Sequence, residues 1–461
     1  MTRPLISNHR NERGAILIQV AVAMIGLLAF SALVIDYGVL WMSRRQAQNA
    51  ADAAALGGAI SLAYDDPADF QRARISAATT GALTSVFGLA PNIDPANDIS
   101  FPACPPGSPG LPDTCVRANV YRNAVKDALP TFFATLFGRS DQGVQATATA
   151  QMVTSNASDC MKPWAVMDKW GEHVKCTHWQ GNSCSSWAAN PDPWTIDDTF
   201  DKYVMTGQGG LDTSIPSPTP GPDVYVPPTA DDPGTGFQPF LPDGITPGPD
   251  YGRVLQLKFG GGQSQLSPGW FQPLDLDCTG SPECPTNSGA NKYGWNINHC
   301  VGKVYGIGDT IPVQNGNITG QTGSGAYGSN NPNDEPGLYE RDPGATWNNT
   351  TKTIENSCAP GICADGKYYT QSPRIVPVPL ANIDTYLASN PQGSGGSVTI
   401  TNIFGFFIIS QAQAQALGFN TGNGTTADVV YGVMVTIPGL TRGTTTVPSS
   451  SSFLRQVILV R

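Results

Sequence analysis

The sequence predicts a membrane-anchored α+β protein. It consists of a long N-terminal transmembrane helix, a small α+β head and a loop-rich, mainly β C-terminal region with disulfides. Three observations carry this reading. Residues Ala15 to Ile35 (AILIQVAVAMIGLLAFSALVI) form an apolar run of about 21 residues without a formal charge. All ten cysteines lie beyond that run, the first at Cys104. Charged residues make up only 13% of the 461-residue chain, against 51 Gly and 39 Pro, a composition of turns and exported β structure.

Residues 1–14 read as a cytoplasmic N-terminus and 15–63 as the transmembrane helix with its extracytoplasmic extension. At 1.5 Å per residue the apolar run spans roughly 30 Å, the thickness of a bilayer's hydrocarbon core. Arg3, Arg10 and Arg13 imitate the basic region of a cleavable signal, but the apolar core is longer than the 7–15 residues such signals use. Arg44 and Arg45 follow the span closely, so flanking charge orients it weakly. The cysteines place the body on the oxidising side and the N-terminus inside. From Ser43 to Ala63 the chain is rich in Ala, the best helix former, and no proline interrupts Ala15 to Ala63. Ala50, Ala53, Ala54, Gly57 and Gly58 allow close packing, either on another helix or on the protein's own domain.

Residues 64–158 read as the head. Asp66-Pro67 opens a second helix running to about Val86. Extended runs follow at Ile99–Phe101 and Val116–Tyr121, then a short helical stretch from Pro130 (PTFFATLFG). Val144 to Val153 alternates like a half-buried strand. Residues 159–461 read as a β-rich extracytoplasmic region. Trp164, Trp170, Trp179, Trp187 and Trp194 crowd its beginning, and a Pro/Gly-rich loop occupies about 205–250. Strands are expected at Val254–Phe259, Val398–Ile409, Val429–Ile437 and the terminal FLRQVILVR.

The cysteine spacings suggest small loops closed by Cys104/Cys115, Cys176/Cys184, Cys278/Cys284 and Cys358/Cys363, with Cys160 and Cys300 left as a long-range pair. This is one of hundreds of connectivities ten cysteines allow. The formal charge of −10 argues against nucleic acid as a partner, because there is no basic excess to neutralise phosphates. His173, Cys176, His178 and Cys184 offer zinc-type ligands, but their spacing matches no known finger, and a Cys176–Cys184 disulfide accounts for them equally. DTSIPS (Asp212 to Ser217) has Pro216 where a von Willebrand A metal motif needs its second serine. Asp275 and Asp277 are spaced like Ca²⁺ ligands without the rest of an EF-hand loop. With four histidines and no nucleophile elbow, HExxH, P-loop or dinucleotide fingerprint, there is no positive case for an enzyme, a cofactor or a small-molecule substrate.

The stretch Glu12 to Ala59 resembles the TadG-like N-terminal domain of Flp (TadE/TadG, tight-adherence) pilus-assembly proteins. The matching features are Arg13-Gly14 before the apolar run, Asp36-Tyr37-Gly38 at its outer edge, and the segment Gln48-Asn49-Ala50-Ala51-Asp52 that continues through Leu56. CMKPWAVMDKW and the terminal FLRQVILVR also look like extensions of TadG-related proteins. The resemblance implies a bacterial inner-membrane protein with a pilin-like head and a periplasmic or otherwise extracytoplasmic body, in contact with other pilus-assembly proteins. Pilin-like relatives are cut after a Gly and carry Glu at the fifth mature position, where this chain has Gln19 after Gly14. The expected function is therefore a non-catalytic, membrane-anchored role in Flp-pilus assembly or surface attachment. The alternative is a tethered adhesin or ligand-binding protein, independent of pili, that uses exposed tryptophans and glycine-rich loops.

Overall fold

One continuous helix, α1 (Glu12–Tyr64), organises the N-terminal part of the computed structural model. The structure describes residues 12–64, 70–108, 110, 114–172, 194–195, 198–200 and most of 223–460. Within that last range it omits 230–233, 260–265, 279–280, 286–288, 315–317, 330, 332–333, 390–395, 420, 422–428 and 446. Between 173 and 222 it gives the backbone of four short strands, Cys176–Gln180, Ser183–Trp187, Tyr203–Met205 and Leu211–Pro216.

The helix is divided by its surroundings rather than by its backbone. From Ile16 to Ile35 nearly every side chain is uncovered; Leu17, Ile25 and Leu33 are 71%, 67% and 67% exposed. A helix that is apolar around its whole circumference and uncovered by its own chain is long and apolar enough to cross a membrane. From Ala47 onward the pattern reverses, and Ala47, Ala50, Ala51, Ala54, Ala55 and Ala59 are fully buried. They pack against helix α2 (Phe70–Ala82) and a sheet behind it. The two helices run antiparallel with backbones close enough that a Cβ on Gly58 would stand 2.8 Å from Val116 and 3.1 Å from Ala77. One on Gly81 would stand 2.8 Å from Ala54. Of the two partners open to these small residues, the structure therefore shows the protein's own domain.

The sheet begins with β1 (Ile99–Ser100), β2 (Cys115–Arg122) and β3 (Val144–Thr154). The chain then leaves it for a second body. This contains β4 (Trp164–Met167), β5 (Val254–Phe259), β6 (Trp270–Pro273), α3 (Ala290–Asn298), β7 (Thr310–Pro312), α4 (Thr319–Tyr327), β8 (Ile375–Ala381), β9 (Ser397–Ile409) and β10 (Val429–Val435). Two further strands, β11 (Ile437–Pro438) and β12 (Leu454–Val460), return to the first sheet, whose order is β1-β2-β3-β12-β11. The last strand thus pairs antiparallel with β3, Ile458 opposite Gln151, and completes the sheet under α1.

Six strands of the second body close on themselves in the order β9-β8-β4-β6-β5-β10, with β10 pairing back to β9; β7 adds to the start of β9. Closure leaves no free edge along the paired stretches. Alternate side chains, among them Val166, Leu257, Phe271, Val378, Phe404, Phe406 and Val430, fill the interior with Trp164, and α3 and α4 add Tyr293, Ile297 and Ala326. Gly432 faces inward where any Cβ would overlap the Phe406 ring, so β10 needs glycine there. The other side of β9 and β10 carries Phe407, Ile409, Tyr431 and Val433, covered by Tyr251 and Trp347.

The Pro/Gly-rich stretch includes the short strand Leu211–Pro216; beyond it, buried carboxylates hold the irregular residues 223–229 and 234–250 against this barrel. Asp168 accepts hydrogen bonds from the Tyr225 hydroxyl (3.0 Å), the Thr401 hydroxyl (3.1 Å) and the amides of Phe237 (3.1 Å) and Lys169 (2.9 Å). Asp250, also buried, accepts from the Gln238 amide (2.8 Å) and pairs with Arg253 (2.7 Å). A loop without regular structure still has to satisfy its buried polar groups, and these acids supply acceptors. Among the described residues, cysteines at disulfide distance add four closures, Cys104–Cys115, Cys160–Cys300, Cys278–Cys284 and Cys358–Cys363, while the side chains of the expected Cys176–Cys184 pair lie outside them. Cys160–Cys300 joins segments 140 residues apart.

Two outcomes test this packing. Gly432→Ala should destabilise the protein by about 1–3 kcal/mol through overpacking, read as a lower denaturation midpoint with unchanged slope; an unshifted midpoint would refute the close approach to Phe406. Burial pushes the Asp168 carboxyl up to about 6, the four donors only partly opposing it. A carboxyl whose folded pKa lies above its unfolded value, about 3.9, loses stabilising influence as pH rises between the two values. The stability of the wild type relative to Asp168→Asn should therefore fall from pH 4 to pH 6 and level off above. A pH-independent difference would contradict the burial of this acid.

Candidate functional site at the collar of the long helix

The distinctive polar constellation on α1 lies where its exposed apolar stretch ends. Asp36, one residue past Ile35, turns its carboxylate toward the 130s turn. It accepts hydrogen bonds from the backbone amides of Phe132 (2.8 Å), Phe133 (3.1 Å) and Ala134 (2.7 Å). These amides begin a short 3₁₀ turn, Ala134–Phe137, whose first N–H groups have no partner within the turn itself. The acid on α1 thus acts as a cap supplied from nearly 100 residues away. The sequence places a helical stretch here from Pro130; the structure shortens it to this single capped turn.

Exposed aromatic and basic side chains lie on both segments that this clip joins. Tyr37 and Trp41 are 66% and 55% exposed, Phe132 and Phe133 53% and 36%. The Arg45 guanidinium lies 4.8 Å above the Trp41 ring, and Arg44 and Arg139 are also exposed. Gly38 has open space where a Cβ would be. One turn beyond Arg45, Gln48 bonds Asp52 (2.8 Å) and the Thr147 carbonyl on β3 (3.3 Å), tying α1 to the sheet. Asn49 is exposed, whereas Ala50 and Ala51 are buried against the head. Arg13 and Gly14 lie within α1, with side-chain surroundings outside the described residues.

Residues 14–61 match the Tad family model, described as putative Flp pilus-assembly TadE/G-like. The TadE/G-like segment covers little more than a tenth of the chain, yet it contains the whole exposed apolar stretch, Asp36 and most of the buried small-residue face of α1. No curated protein and no solved structure is significantly similar to the chain.

A second concavity lies where the end of α1 meets the barrel. A cavity of about 740 Å³ is lined by Ile60, Tyr64, Tyr251, Trp347, Ile375 and Val457, with Arg72 and Lys352 at its polar side. The Tyr64 hydroxyl donates to the Arg455 carbonyl (2.7 Å), fixing the end of α1 on β12. Burial lowers the Arg455 guanidinium to about 10, and its ring-facing side stacks 4.2 Å from Phe240. Such a lining of aromatic and aliphatic side chains suits an apolar or extended segment.

His173 lies outside the described residues, as do the side chains of Cys176, His178 and Cys184. The backbone there forms a hairpin with Cys176 opposite Trp187 and Cys184 opposite Trp179. Among the described residues no group of three His, Cys, Asp or Glu side chains is arranged to hold a metal ion. Asp275 and Asp277 are paired instead with Lys292 (2.9 Å) and Lys303 (3.3 Å). The picture of exposed tryptophans is corrected for those described: Trp164 and Trp170 are buried in the core. Trp194 packs edge-on between Trp170 (6.0 Å) and Phe237 (5.6 Å). Composition marks these residues as unusual, but not which way they face.

Asp36→Ala should leave the turn's amides without their acceptor. Hydrogen exchange at Phe132, Phe133 and Ala134 should then accelerate by about tenfold or more, while amides of β2 and β3 keep their protection. Unchanged exchange at the three amides would show that the clip does not hold the turn.

Proposed function

We propose that this chain is a non-catalytic, single-pass component of Flp-pilus assembly in the bacterial inner membrane. Its N-terminus is cytoplasmic and its bulk periplasmic or otherwise extracytoplasmic. The observation that carries the reading is the coincidence of the TadE/G-like match with a helix whose first part is apolar and uncovered. The rest of that helix is committed to the protein's own head. Four cysteine pairs at disulfide distance support an oxidising compartment for the body.

On this reading the protein works by presentation. Residues 16–35 remain available to lipid or to helices of neighbouring assembly proteins. The head is held at a set height above them, and the barrel is carried on two strands of the head's sheet. Contacts with pilus components then fall on the apolar stretch and on the outer surfaces of head and barrel, because the Ala/Gly face is occupied.

Electron microscopy of surface pili tests the proposal. A deletion strain should lose pili, and the full-length gene should restore them. A gene carrying Ile25→Asp with Leu28→Asp should not, since each charge costs about 2.5–3.5 kcal/mol at the centre of a spanning helix. Normal pili in the deletion strain would contradict the assembly role. Restoration by the double variant would contradict the spanning helix.

A further inference from the structure

We propose that the 131–135 turn, together with Tyr37 and Trp41, is an interfacial lipid-binding collar that seats the head directly on the bilayer surface. The inference rests on the membrane-spanning reading of residues 16–35 and adds a second contact between protein and lipid.

The uncovered apolar stretch is 20 residues long and so spans about 30 Å, which brings Asp36 to the boundary of the hydrocarbon core. Three hydrogen bonds of 2.7–3.1 Å, from the backbone amides of Phe132, Phe133 and Ala134 to the Asp36 carboxylate, then hold the turn at that same level. Phe132 and Phe133 are exposed on the clipped turn, and Tyr37 and Trp41 are exposed within about one and a half turns of Asp36 on α1. Aromatic rings concentrate at the headgroup level of bilayers, where an apolar body and a wet rim are both accommodated. Arg44, Arg45 and Arg139 are exposed in the same collar and can extend to lipid phosphates. The Asp36 charge, which would be costly at this depth alone, is met by three N–H donors.

A lipid surface fits these side chains better than a partner protein because Phe132, Phe133, Tyr37 and Trp41 come from two separate segments that the Asp36 clip joins just past the uncovered apolar stretch. The consequence is mechanical. A helix alone lets the head tilt and swing, whereas a second contact clipped to the helix limits that motion to a rocking about the collar.

The test uses the full-length protein in nanodiscs of phosphatidylcholine and phosphatidylglycerol. A nitroxide is attached through p-acetylphenylalanine placed, one at a time, at Phe133, Phe132, Ile25 and Tyr368; Tyr368 is 67% exposed, two residues from Thr370, which lines the cavity at the Tyr64 end of α1. Accessibility to oxygen and to a soluble nickel chelate is read by electron paramagnetic resonance. The expected result is an oxygen-to-nickel ratio at Phe133 and Phe132 several-fold above that at Tyr368 and below that at Ile25. Ratios matching Tyr368 while Ile25 remains lipid-buried would overturn the collar and leave the spanning helix intact. Low accessibility to both reagents at Phe133 and Phe132 would mean that protein covers the turn, which also overturns the proposal. An aqueous signal at Ile25 would remove the membrane reading itself.

Discussion

Close backbone contact between the outer part of α1 and its own head is the constraint on which the rest depends. It is possible only because the contacting residues are Ala and Gly; at Gly58 and Gly81 even one added carbon would press on a neighbour at 2.8 Å. This seam divides a single helix of 53 residues, which contains no proline, into two functional lengths. One length is covered by the protein. The other is left to whatever surrounds it.

Everything beyond the seam is attached through a few long-range links. Asp36 fixes the 130s turn at one end of the packed region, and Tyr64 fixes β12 at the other. The chain leaves the head's sheet through β3, builds the closed barrel, and returns through β12 to pair with β3. The barrel is therefore hung from adjacent strands of the sheet that rests on α1. Forces or contacts on the barrel pass into the helix through that pairing, which gives a route from an exposed surface to a membrane segment in the proposed arrangement.

Much of the local structure was legible because it depends on neighbouring residues. The Ala-rich, proline-free run gives one helix, Glu12–Tyr64, and the alternation of Val144 to Val153 gives the strand Val144–Thr154. The second helix proved shorter at its end, Phe70–Ala82, since Gly81 packs closely against α1 while Val86 turns into the core. What stayed hidden is long-range. Nothing local tells that Ile458 will lie opposite Gln151, that β9 and β10 will close a barrel, or that Asp36 will cap a turn at Ala134. The sequence marks Asp36 as the first charge after an apolar run and as part of the Asp36-Tyr37-Gly38 resemblance, but its partners are backbone amides, which carry no residue signature. Trp164 and Trp170 were ambiguous for a related reason: an aromatic cluster in sequence is compatible with a binding surface or with a core, and burial decides.

The most direct test of the central claim is hydrogen–deuterium exchange along α1 of the full-length protein, measured without any partner in nanodiscs and again in detergent micelles. The account requires residues 47–63 to exchange equally slowly in both media, because their protection comes from α2 and the sheet. Fast exchange of 47–63 in the isolated protein, or protection that appears only when other pilus components are added, would show that the Ala/Gly face is reserved for a partner helix and that the division of α1 proposed here is wrong.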